Sequence, residues 1–328
     1  MFPCNLRKVP MAILVLASWL AAAPPAERDT VTAQTSPATV SFVAHWKVGD
    51  SAVFRVRQTK TRRQADTLVS KDTAGYEAVL RVASCDARDS SFTIKWVYQN
   101  DLGNSFKLSE PIKRRLAKYD RIELEYRAAA TGEFLGIVGW LRQSRMMSNM
   151  MEDIVQAVAE DKKVAPDEIR TTMKPFLEAF TSKEGLESIV FKDVRLVHFA
   201  LGAEFETDSV LDYEDHFPNV FGGDPIPTRG TMRASVVSPG IAALDQVSEA
   251  DPAQTRSLVL GLMRKMMHAD SVLKLAANMS MELQDRNRYE IALATGFPQR
   301  IHTYRKVLVN IPGQRAMNEE EISIGRIR

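Results

Sequence analysis

Methionines are the most suggestive side chains in this chain. Met146, Met147, Met150 and Met151 recur at helical spacing, and Met263, Met266 and Met267 repeat the pattern beside His268. Thioether sulfur is a soft ligand that suits Cu(I). The first stripe, however, continues into Ile154, Val155 and Val158, and the second begins with Leu258, Val259 and Leu262. Flexible, polarizable Met among aliphatic residues packs a core or lines a groove for varied apolar ligands. The seven methionines are therefore the expected ligand-contacting residues, and no metal is assigned to them.

A second group lies between Asp212 and Pro227. Glu214, Asp215, His216 and Asp224 put carboxylates and an imidazole into a stretch rich in Gly and Pro, which reads as a loop. Oxygen ligands could hold Ca²⁺, but the spacing matches no helix-loop-helix calcium site. The histidines at 45, 198, 216, 268 and 302 are scattered, with no HExxH and no Gly-x-Ser-x-Gly elbow. Gly-rich phosphate loops are absent too. Carboxylate pairs such as Glu152-Asp153 are ordinary in so charged a chain. No catalytic residue and no cofactor is assigned.

The first 33 residues have the order of a secretory signal peptide: Arg7 and Lys8, an apolar run from Met11 to Ala23, then a polar stretch. That run is too short to span a bilayer as a helix. Small residues at Val31-Thr32-Ala33 place the cut after Ala33, since Pro24 obstructs a cut after Ala23. Cys4 leaves with the leader, so Cys85 has no disulfide partner, which suits a bacterial exported protein. The expected location is the periplasm or the cell exterior.

Charge and size narrow the class. The 43 basic and 41 acidic residues nearly cancel, which argues against nucleic acid as a partner. No later segment is long and apolar enough to be a transmembrane helix. The remaining 295 or so residues are near the limit of a single core. Gln34–Arg328 is taken as one unit, with two possible lobes at 34–201 and 202–315 and a charged, loosely held tail at 316–328.

The elements follow from periodicity. Ala52, Phe54 and Val56 alternate with Arg55 and Arg57, and Phe92, Ile94, Trp96 and Tyr98 alternate with Thr93, Lys95 and Val97. Strands are expected at 76–85, 122–128, 134–140, 190–201, 203–210, 231–237, 241–247, 279–285, 289–294 and 301–309. Helices are expected at 109–119, 141–160 and 167–180, the last bent or divided at Pro175, and after the capping signal Asp251-Pro252-Ala253-Gln254. Ala128-Ala129-Ala130-Thr131-Gly132 and Ala292-Leu293-Ala294-Thr295-Gly296 are two similar strand-turn texts.

The expected fold is α+β: a twisted, mostly antiparallel sheet of about ten strands, curved or half-barrel, covered by three or four amphipathic helices. The text Ile122-Glu123-Leu124-Glu125-Tyr126, Thr131-Gly132-Glu133-Phe134, Ile137 and Trp140 resembles a pattern of uncharacterised exported bacterial proteins with β-rich domains. The general plan also resembles periplasmic lipoprotein carriers, in which a curved sheet is covered by helices. The resulting expectation is an exported, non-enzymatic binding module. Its partner would be an apolar small molecule or lipid, or an envelope protein, held between the sheet and the two Met-bearing helices. The alternatives are an enzyme or metal-binding protein using the 212–227 loop, and a purely structural envelope component.

Overall fold

The computed structural model describes residues 38–99, 109–119, 121–217, 226–257, 280–311 and 314–328. Within these, eleven strands form one antiparallel sheet in the order β6-β5-β4-β3-β2-β13-β12-β11-β10-β9-β8. The strands are β2 (Ser51–Gln64), β3 (Thr67–Cys85), β4 (Phe92–Gln99), β5 (Glu123–Ala128), β6 (Phe134–Ile137), β8 (Val210–Phe217), β9 (Ile226–Ser238), β10 (Ile241–Ala250), β11 (Ser280–Ala292), β12 (Pro298–Ile311) and β13 (Gln314–Arg326). A separate pair joins β1 (Thr39–Phe42) to β7 (Ala203–Glu206). Helices accompany them, namely α1 (Glu110–Leu116), α2 (Trp140–Lys162), α3 (Pro166–Ala179), α4 (Lys183–Ile189) and α5 (Lys192–His198), and a further helix begins at Pro252. The architecture is the expected α+β fold.

The two-residue alternation decides which face is covered. Ala52, Phe54 and Val56 are buried, and the register sets Phe54 against Ala78 and Val56 against Tyr76. Cross-strand partners share a face, so one inner face carries Leu80, Trp96 and Leu124 in a single row.

This sheet is curled, and the segment after β1 shows why. Ala44 N–H donates to Thr131 O at 2.9 Å, and His45 N–H donates to Thr295 O at 3.2 Å. Those two turns follow β5 and β11, and in strand order β4, β3, β2 and β13 lie between β5 and β12. Five strand spacings in a flat sheet would put them about 24 Å apart. Adjacent residues of one strap reach both, so the sheet must bend around it. Trp46 completes the plug, packing on Phe92, on Phe297 and edge-on to His198. The two similar Thr-Gly texts are thus the two grips on one strap. Gly296 (φ +74°) is required there, because a Cβ would lie 2.5 Å from Val43 O.

α5 lies on the inner face. Phe191, Val194 and Val197 are buried in the main core. Lys192 Nζ reaches Glu320 Oε2 at 2.5 Å, Tyr76 OH donates to Asp193, and Tyr98 OH donates to Val190 O at 3.0 Å. This segment was expected to be a strand. Its valines favour β structure, but Phe191, Val194, Val197 and Leu201 recur at steps of three and four, and tertiary burial of that stripe wins. The other helices form a second layer, where Met147, Met151, Phe180 and Leu186 make a small core of their own. α3 runs undivided through Pro175, because the helix tolerates the loss of one internal bond between intact turns.

Three further expectations are corrected. The tail at 316–328 is not loosely held: β13 pairs with both β12 and β2 in the middle of the sheet, with Ile322 and Ile324 buried. Its Glu319-Glu320-Glu321 run hides the alternation. Much of the 212–227 loop is strand, since β8 extends to Phe217 and β9 begins at Ile226. Acidic residues on an edge strand mimic a loop, and such charge also blocks edge-to-edge pairing. Finally, the two expected strands at 279–285 and 289–294 are one, β11; the polar Arg286-Asn287-Arg288 stretch between them lies within the ladder.

Candidate functional site

The site begins at the entry of α2. Gly139 turns the chain at φ +58°. Gln143 is then drawn inward, and its Nε2 donates to Glu125 O and Val138 O, both at 2.8 Å. The next residue, Ser144, donates its Oγ hydrogen to Phe180 O at 2.8 Å. These bonds set the rotation of α2, sending Met147 and Met151 into the second core with Trp140 packed beside them, and leaving Leu141, Arg145 and Asn149 on the outer side.

That side carries two shallow, open depressions. A hollow of about 610 Å³ is walled by Trp140, Leu141, Arg142, Arg145, Met146 and Asn149. A second, of about 450 Å³, shares Met146 and Asn149 and continues toward Lys118, Tyr119, Glu152 and Asp153. Together they make a groove along α2. Leu141 is 55% exposed, and Leu135 nearby in sequence is 54% exposed.

The charges along the groove differ in how far they are satisfied. Burial pushes the Asp153 carboxyl up, but hydrogen bonds from Lys118 (2.7 Å) and Tyr119 outweigh it and hold the group below its ordinary range. Glu152 is also lowered, chiefly by the Arg170 hydrogen bond at 2.7 Å. Arg142 pairs with Glu125 at 2.9 Å. Arg145 makes no ion pair or side-chain hydrogen bond among the described residues.

Those of the expected site residues that are described fall in different places. Met147 and Met151 are core. Met146 and Met150 are half-buried between both clusters, and only Met146 lines the groove. Met263, Met266 and Met267 lie outside the described residues, as does Asp224. Glu214 pairs with Arg229 at 3.2 Å on the exposed edge of the sheet, and both are largely solvated. Asp215 Oδ1 accepts from the His216 amide at 2.8 Å. A groove between the sheet and the α2 stripe was expected, but it is α5 that lies against the sheet's inner face.

The inner face itself is already filled or paired. Fully burying Phe191, Val194 and Val197 contributes about 5–9 kcal/mol. That is comparable to the whole net stability of an ordinary domain, so α5 is core and not a displaceable cover. Above it runs a polar belt. Gln246 Nε2 donates to Tyr213 OH at 2.6 Å, and Asn287 Nδ2 donates to Gln246 Oε1 at 2.9 Å. Arg305 grips Asp285 at 2.7 and 2.6 Å, and Glu320 takes Gln58 and Lys192, each at 2.5 Å. These groups satisfy one another, as buried polar groups must.

Sequence reasoning missed Trp140 and Arg145 as groove residues, and His198 as a core one. Trp140 shares the face of Met147 and packs on the second core, while Arg145 lies on the other side of the helix, and only the rotation of α2 brings both to the edge of one depression. His198 is 3% exposed; its Nδ1 lies 2.6 Å from Gly132 O and its Nε2 2.7 Å from Tyr126 OH. A carbonyl only accepts, so Nδ1 carries the proton and Nε2 accepts from the phenol. Burial lowers the His198 pKa to about 4 despite the Gly132 bond. Among the described residues, no three His, Cys, Asp or Glu side chains form a metal-binding group. Compared with protein-family models and with characterised proteins, the chain matches none.

Proposed function

We propose that this protein is an exported, envelope-located binding module that holds an apolar ligand in the groove along α2. The observation that carries the reading is an open, partly apolar depression beside α2, bordered by Trp140, Leu141 and Met146 and of a volume usual for small-molecule sites. Met146, the one stripe methionine on that wall, offers a soft surface that adapts to different chains. Export is supported by the leader, with cleavage after Ala33. The alternative built on Glu214, Asp215 and His216 has less support, because Glu214 is already paired and solvated on an edge strand.

Native mass spectrometry after gentle extraction from the envelope tests the reading. The expected result is the mass of Gln34–Arg328 with a lipid-sized adduct that organic solvent removes. A leader-bearing chain recovered from cytosol would defeat the export half. A bare mass from every extraction, with no uptake of added hydrophobic probe, would defeat the binding half.

A further inference from the structure

We infer that the groove along α2 takes a long-chain carboxylate, with its headgroup on Arg145; this rests on the binding reading above and names the ligand class. Five charged side chains line the groove, Lys118 among them, and four are already engaged. Arg142 is held by Glu125 at 2.9 Å, Glu152 by Arg170 at 2.7 Å, and Asp153 by Lys118 at 2.7 Å and by Tyr119. Arg145 alone has no charged partner among the described residues, and it stands beside the apolar wall of Trp140, Leu141 and Met146.

One unengaged cation calls for one negative charge. A guanidinium presents a planar fork of donors that matches a carboxylate with two parallel hydrogen bonds. The ligand's chain has a direction as well. Arg145 and Met146 are separated from Glu152 and Asp153 by about two helical turns, roughly 10 Å. Both carboxylates at that far end already have cationic partners, so the acid's head stays at Arg145 and its chain lies along Met146 and Asn149 toward Tyr119.

The test uses laurate and dodecanol, which share a chain length and differ in the charged head. Purified protein is titrated with each, and binding is followed by Trp fluorescence and by calorimetry, with Trp140→Phe identifying the reporting indole. Laurate should bind the parent protein more tightly than dodecanol. Arg145→Gln should weaken laurate about tenfold or more, the range for losing a hydrogen-bonded charge partner. It should leave dodecanol unchanged, and Arg145→Lys should restore part of the laurate affinity. Because Arg145 is exposed, an unaltered thermal midpoint is expected in both variants. Equal laurate affinity in the parent and in Arg145→Gln would overturn the headgroup assignment, while dodecanol binding would keep the groove as a site. No binding of either probe would overturn both.

Discussion

His198 gives the sharpest test of how this sheet is held closed. It is buried, and it ties Tyr126 on β5 to the carbonyl of Gly132 in the turn that grips the strap. Burial lowers its folded pKa to about 4 from the ordinary 6.5. The unfolded chain therefore binds more protons below pH 6.5, so the stability contributed by neutral His198 is complete above pH 6.5. It is lost as the pH falls toward 4. That lowering corresponds to roughly 3 kcal/mol in full, of which about 2 kcal/mol is lost between pH 7 and pH 4.5. The control is His198→Asn, whose amide can keep the donor to Gly132 O but cannot titrate. Urea unfolding of both proteins at the two pH values, at fixed ionic strength, gives four free energies. The parent should lose about 2 kcal/mol more than the variant on acidification. Carboxylates held low by their partners, such as Asp89 at about 2 and Glu320, also weaken the fold in acid, but equally in both proteins. Equal pH dependence of the two would refute a neutral buried imidazole at this position.

Other expectations follow from the same packing. Gly296→Ala should cost about 2–4 kcal/mol, combining a positive φ with a Cβ pressed on the strap backbone, and should lower the thermal midpoint. Removing residues 314–328 deletes the strand that joins β12 to β2; circular dichroism should then show no cooperative unfolding, whereas a loose tail would leave the transition unchanged. Met147→Ala should cost about 2–4 kcal/mol by leaving a cavity in the second core, and Met146→Ala about 1 kcal/mol or less. Denaturant midpoints that rank these two substitutions the other way would mean that α2 presents a different face.

Much of the fold was readable because period two and period three to four are local signals. Phe92, Ile94, Trp96 and Tyr98 announced β4, and the Met146–Val158 stripe announced α2. Asp251 was read as a cap, and its Oδ1 does accept the Gln254 amide at 2.8 Å. Misreadings came where local chemistry and tertiary context diverged. Charged Glu319–Glu321 disguised a central strand, acidic Asp212–Asp215 disguised an edge strand, and the valines of α5 disguised a helix.

The groove was legible only in part. Met146 was picked out with its neighbours, yet nothing local separates it from Met147, which is core. That distinction depends on the rotation of α2, set by Gln143 reaching Glu125 O and Val138 O from another part of the chain. Arg145 drew no notice, because a lone arginine on a helix is ordinary until its neighbours are known to be engaged elsewhere.

Residue order alone determined the alternation of buried and exposed positions, the helix stripes, the turns and the near-balance of charge, since each depends on side chains a few residues apart. Only the tertiary structure decided that two distant Thr-Gly turns hold one strap, that the last strand lies beside the second, and that α2 turns a hollow face to solvent. Those outcomes depend on which surfaces meet after the chain has folded back on itself, and no spacing within a segment encodes them.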